Sequence, residues 1–178
     1  MVIACIRAGF TSVMFDGSQL DKEENIARTR EIVKIAHAVG VSVEGEIGKI
    51  GGVEDDISVD EREAMLTPVP DAIEFYEATG VDALAMSFGT AHGPYKLPPK
   101  LDFDRIAAVH EKTGAYLVMH GGSGVPDEDV RKGIALGIRK INIDTDCARR
   151  SWARCAGSWP RSRTRSIPAR SSPRPARC

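Results

Sequence analysis

Five short apolar runs recur along the chain with helical stretches between them, and this alternation limits the fold more than any other feature. The runs are "TSVMFDG" (11–17), "VSVEGEIG" (41–48), "VDALAMSFG" (81–89), "AYLVMH" (115–120) and "IRKINIDTD" (138–146). Each is short and largely apolar, and "TSVMFDG" is partly β-branched, as buried strands are. Four helical patterns separate them. The first, "DKEENIARTREIVKIAHAVG", opens acidic, repeats Ile26, Val33 and Ala36 at helical spacing, and stops at Gly40. "PVPDAIEFYEATG" and "DFDRIAAVHEKTG" stop at Gly80 and Gly114, and "PDEDVRKGIALG" follows the same design. Strand–helix alternation predicts an α/β fold, a parallel sheet with helices outside. Both a (β/α)8 TIM barrel and an open doubly wound sheet place their chemistry at the C-terminal ends of the strands. Five strands cannot close an eight-stranded barrel. A barrel therefore means a partial one of about five βα units, entered through "CIRAGF", which reads as the end of a helix.

Hydrophobic content of 42% and charged content of 28% fit an ordinary soluble domain. No apolar run approaches the ~20 residues that span a bilayer, and the first residues lack a secretory pattern. The four cysteines form no CxxC pair, so a reducing, cytoplasmic setting is expected. The net charge of −1 conceals an asymmetry. Residues 149–178 hold nine of the 24 basic residues and no acidic one, leaving 15 basic against 25 acidic upstream. So acidic a body argues against nucleic acid as a partner. The chain therefore divides into an α/β body, 1–146, and an Arg/Pro/Ser-rich tail, 147–178, expected to lack a stable fold. The tail's composition fits a basic arm, a disordered segment, or a GC-rich gene read out of frame. The abrupt break after an ordered strand favours the last.

The polar residues that close the strands carry the chemistry. Asp16, Glu46, His92, His120 and the run Asn142 to Thr145 all lie at or just past strand ends. His92 and His120 each end an apolar run and each precede a glycine. Converging neutral imidazoles suit a borderline cation such as Zn2+, although a catalytic zinc usually has three protein ligands. His37 and His110 fall within helical patterns, and no third ligand is visible. "HGGSG" (120–124) and "NIDT" (142–145) are turns whose backbone N–H groups and hydroxyls can cradle phosphate. Lys96 adds a positive charge nearby. Glu54 lies in an acidic loop behind Gly51 and Gly52, where a hinged carboxylate can deliver a proton.

Taken together, "SVMFDGS", "VEGEIGKIGGVEDD", "GTAHGPYK", "HGGSG" and "KINIDTD" resemble the class II, zinc-dependent fructose-bisphosphate and tagatose-bisphosphate aldolases, over residues 1 to about 146. The resemblance implies a (β/α)8 barrel in dimers or larger assemblies. It implies reversible cleavage of a ketose bisphosphate to dihydroxyacetone phosphate and glyceraldehyde 3-phosphate. It makes His92 and His120 zinc ligands, and Asp16 and Glu46 carboxylates of a second or alternate metal position. Glu54 becomes the mobile-loop acid/base. Gly93, Lys96, Gly121, Gly122, Ser123, Asn142, Asp144 and Thr145 line the site for dihydroxyacetone phosphate and a monovalent cation, Na+ or K+. The family's "HLDHG" segment, with another zinc histidine and an acid, has no counterpart here. The expectation is an incomplete form that is not a competent aldolase alone. Two rivals remain. A Schiff-base aldolase needs an interior strand lysine, and Lys140, the sole strand lysine, reads as lying at the wrong end. A phosphate-binding α/β protein with an anion-binding tail rests on the arginines.

Overall fold

The structure, a computed structural model, describes residues 1–48, 66–91 and 99–158. Helix α1 (Val2–Arg7) leads into β1 (Ser12–Asp16), and α2 (Lys22–His37) into β2 (Ser42–Ile47). Helix α3 (Val69–Thr79) precedes β3 (Ala83–Met86), and α4 (Phe103–Thr113) precedes β4 (Tyr116–Met119). Helix α5 (Asp127–Ala135), β5 (Ile138–Ile141) and α6 (Thr145–Ser158) follow. All five strands lie within the runs marked by their apolar character. Gly80 and Gly114 cap α3 and α4 in the left-handed conformation, as helix-stopping glycines do.

The strands form one parallel sheet in the order β1-β2-β3-β4-β5. This order separates the two architectures left open by the alternation. A doubly wound sheet reverses its strand order at a switch point. Here each crossover steps the same way, so right-handed connections put every connecting helix on one face. That is the winding of a barrel wall.

Alternate residues divide the two faces. Val13, Val43, Leu84, Met86, Leu117, Met119 and Ile138 join Val33, Ala36, Phe75, Ile106 and Val109 in a core between strands and helices. The opposite parity carries Asp16, Glu44, Glu46, Ala83, Ala85 and Val118, and a register irregularity in β5 brings Lys140 opposite Val118 on the same face. The alanines leave room on that inner face for the charged side chains beside them. Helix α2 departs from its apolar pattern: Asn25 and Thr29 are buried with Val33 and Ala36. Thr29 Oγ1 donates to Asn25 Oδ1 at 3.0 Å, and Asn25 Nδ2 donates to the Glu46 carbonyl at 2.9 Å. This polar pair ties the helix to the functional end of β2.

Helix α6 runs twelve residues beyond the sequence boundary at 146. The stretch 147–158 is thus helical, in contrast to the lack of fold expected from its missing apolar period. Ala and Arg have high intrinsic helix propensity, and Asp146 in the first turn suits the helix dipole. Residues 159–178 lie outside the described residues.

At the other end of the sheet, Asp82 joins three elements. Its Oδ2 accepts from Val43 N at 2.7 Å and lies 2.8 Å from His37 Nε2. Burial pushes the Asp82 carboxyl up, but the Val43 N–H and the His37 ring outweigh it and hold it below its ordinary value. A depressed carboxylate stabilises the fold above its unfolded pKa of about 3.9, and the effect fades as pH falls through the folded value. Asp82 is 42% exposed, so solvent screening limits the effect to about 1 kcal/mol. Asp82→Asn should lower stability at pH 7 by that amount and flatten the loss of stability below about pH 4. Urea melts at pH 3 and pH 7 measure this. A variant as stable as wild type at both pH values would refute it.

Candidate active site

The site grows from the C-terminal ends of β2, β4 and β5. His120 directly follows β4 and is 8% exposed. Its Nε2 lies 2.9 Å from Glu44 Oε1 and 4.0 Å from Glu46 Oε2. Its Nδ1 lies 3.1 Å from Asn142 Nδ2. Glu44 and Glu46 are two residues apart on one strand, so both project to the inner face. Glu44 Oε2 accepts a hydrogen bond from Lys140 Nζ. Lys140 therefore reaches the interior near the site rather than lying at the wrong end. The irregular register between Leu117 and Val118 pairs Val118 with Lys140 and places this lysine on the inner face. Its ammonium is engaged by a buried carboxylate, an arrangement unlike the free amine that imine formation requires.

The carboxylates differ sharply in environment. Burial alone would raise Glu44, but hydrogen bonds from His120 and Lys140 outweigh it and draw the carboxyl below its ordinary value. Glu46 has no such relief. Burial, then the charges of Asp16 and Glu44, push it up to about 7 against the opposing pull of His120. Asp16 is exposed at the end of β1, in register with Glu46, and its Oδ1 accepts from Ser18 N at 2.9 Å. Three carboxylates and an imidazole thus crowd one rim, an arrangement that a cation would relieve.

The two glycine-rich turns meet. Gly122 N donates to the Asn142 carbonyl at 3.0 Å, and Asn142 N donates to the Met119 carbonyl at 2.9 Å. Asp146 N donates to Ser123 Oγ at 3.3 Å, while Asp146 Oδ2 accepts from Gly124 N at 3.1 Å. Gly121, Gly122, Ser123, Asn142, Asp144 and Thr145 therefore gather around the N-terminus of α6. Asp144 is exposed and Thr145 half-buried. His37 and His110 lie elsewhere, on Asp82 and on the Ala115 carbonyl.

Glu54, His92, Gly93 and Lys96 lie outside the described residues. Among the described residues no group of three His, Cys, Asp or Glu side chains is disposed to hold a metal. The donors present fit a divalent cation in kind, one imidazole beside carboxylates. Glu44 escaped the sequence reading, and Lys140 entered it only as a strand lysine set at the wrong end. Their signal was present, since Glu44 shares the inner parity of Glu46, but the partner of Lys140 lies 96 residues away.

The family model for class II fructose-bisphosphate aldolase matches residues 1–175. The chain belongs to the class II fructose-bisphosphate aldolase family. A sulfofructosephosphate aldolase from Alkalicoccus urumqiensis is 55% identical over 141 residues, which are 79% of this chain and 49% of that protein. The crystal structure of the YdjI aldolase from Escherichia coli K12 is similar at a TM-score of 0.75 and 34% identity, covering 89% of this chain and 55% of that one. A fructose-bisphosphate aldolase from Campylobacter jejuni is similar at a TM-score of 0.66 and 29% identity, covering 84% and 48%. The chain spans about half the length of these aldolases. Its five parallel strands are a partial barrel of the same fold.

Proposed function

We propose that this chain forms the metal- and phosphate-binding part of a class II aldolase, a lyase that cleaves a ketose phosphate to dihydroxyacetone phosphate and an aldehyde. The observation that carries this reading is the convergence of His120 with Glu46, Asn142 and the two phosphate-type turns at one rim. His120 and His92 would hold the zinc, with Glu46 or Asp16 at an alternate position. Zinc supplies a Lewis acid for the ketone and its enediolate. The chain's own residues bind and orient. Gly122 N–H is taken by the Asn142 carbonyl, so within the turn lined by Gly121, Gly122 and Ser123 it is the Ser123 backbone N–H, together with the N-terminus of α6, that suits a phosphate, with Lys96 adding charge. Asp144 and Asn142 oxygens suit a monovalent cation. Glu54 would exchange the proton at the ketone-derived carbon. Fructose and tagatose bisphosphates are candidate substrates from the motifs. The 55% identity to a sulfofructosephosphate aldolase adds sulfofructose phosphate. These would share the dihydroxyacetone phosphate half and differ in the half released as the aldehyde, the fructose and tagatose bisphosphates at one hydroxyl centre. The family also suggests homo-oligomers in the cytoplasm. Among the described residues no helix is long and apolar enough to cross a membrane.

The test is NMR of the 15N-labelled chain with dihydroxyacetone phosphate and Zn2+. Signals from both residues 121–123 and 142–145 should shift, and a chelator should weaken the response. Shifts confined to residues 149–178 would mean that only the arginines bind anions, and would overturn the reading. Competition by fructose bisphosphate, tagatose bisphosphate and sulfofructose phosphate then ranks the substrates.

A further inference from the structure

Both ring nitrogens of His120 have defined partners, and the partners agree. Glu44 Oε1 lies 2.9 Å from Nε2, and the other oxygen of the same carboxyl accepts from Lys140 Nζ, so the group stands as an acceptor between two donors. Nε2 must therefore carry the proton. Asn142 Nδ2, 3.1 Å from Nδ1, is a donor, so Nδ1 must offer its lone pair. Glu44 is itself held firmly. It is 4% exposed, and its second oxygen is taken by Lys140 Nζ. Strands β2, β4 and β5 thus converge through Glu44, His120 and Lys140 on one buried carboxylate.

We propose that Glu44, anchored by Lys140, fixes His120 in the Nε2–H tautomer and so makes Nδ1 its metal-binding nitrogen. This rests on the zinc reading above. Glu44 is then a positioning residue: it touches neither metal nor substrate but sets ring orientation and raises the basicity of the opposite nitrogen. Carboxylates behind metal-bound histidines act in this way, and their loss typically costs ~10- to 100-fold in metal affinity. Asn142 has a second part in the arrangement. Its amide marks the available lone pair and is released when a cation takes its place.

The experiment uses the full chain with 15N-labelled histidine, the His120 signals being those absent from His120→Gln. Without metal, Nε2 should show the shift of a protonated nitrogen and Nδ1 that of a bare one. A protonated Nδ1, alone or with Nε2, overturns the inference without reference to zinc. With Zn2+, the Nδ1 signal should move. Glu44→Gln should bind zinc ~10- to 100-fold more weakly. Lys140→Met, which leaves the carboxylate in place, should weaken binding in the same direction and give a second route if Glu44→Gln does not fold. Coordination at Nε2, or unchanged zinc affinity in the folded variants, overturns the proposal and leaves the aldolase reading intact. No zinc response at either nitrogen of the wild-type chain removes both.

Discussion

Replacing Phe75 by alanine should destabilise the chain by about 3–5 kcal/mol, a large part of the ~5–15 kcal/mol that holds a domain folded. Phe75 is fully buried on α3. Its ring packs against Gly45 of β2, where an added Cβ would stand 3.1 Å from the ring, beside Val81. Glycine at 45 is what lets the helix approach this strand so closely. Its neighbours Glu44 and Glu46 face the other way, into the site. A cavity at Phe75 therefore removes the backing from the strand that supplies both carboxylates. Urea unfolding should show a lower midpoint with an unchanged slope. Phe75→Leu, which keeps most of the volume, should cost less than half as much. A loss below 1 kcal/mol for the alanine variant would show that α3 does not pack as described.

Gly121→Ala should weaken zinc binding by ~10- to 100-fold, the scale seen when a group orienting a metal-bound histidine is lost. Gly121 follows His120 and has φ +64°, a conformation costing other residues about 1–2 kcal/mol. Space is also lacking. An added Cβ would collide with the carbonyl oxygen of Ala91 and stand 2.7 Å from its carbon, both backbone atoms. The turn must move, and His120 moves with it. Gly80→Ala separates the two causes. Gly80 has φ +68°, yet an added Cβ meets nothing within 4 Å. It should lose ~1 kcal/mol of stability and keep full zinc affinity. Calorimetric zinc titration of both variants gives the comparison. Equal affinity for Gly121→Ala and wild type would show that the close approach of Ala91 does not position the site.

The amino-acid sequence by itself determined the five strands, the helices between them and the polar residues that close each strand. These are local properties. Apolar period, β-branching and glycine stops are written in consecutive residues, so "AYLVMH" and "DFDRIAAVHEKTG" declare their structure unaided. The motifs "HGGSG" and "NIDT" were legible for the same reason. The sense of winding was not, because alternation allows both a barrel and a doubly wound sheet; the strand order decided it. Nor could local pattern assign α6, where helix propensity continued beyond the last apolar period. The largest gap concerns Glu44 and Lys140. Alone, each reads as an ordinary strand charge. Only the sheet register brings Glu44 to His120, 76 residues away, and to Lys140, 96 residues away. Pairing at such separation depends on how strands stack and where their register slips. It is therefore a property of the tertiary structure, and it turns a plain histidine at a strand end into one with a defined tautomer.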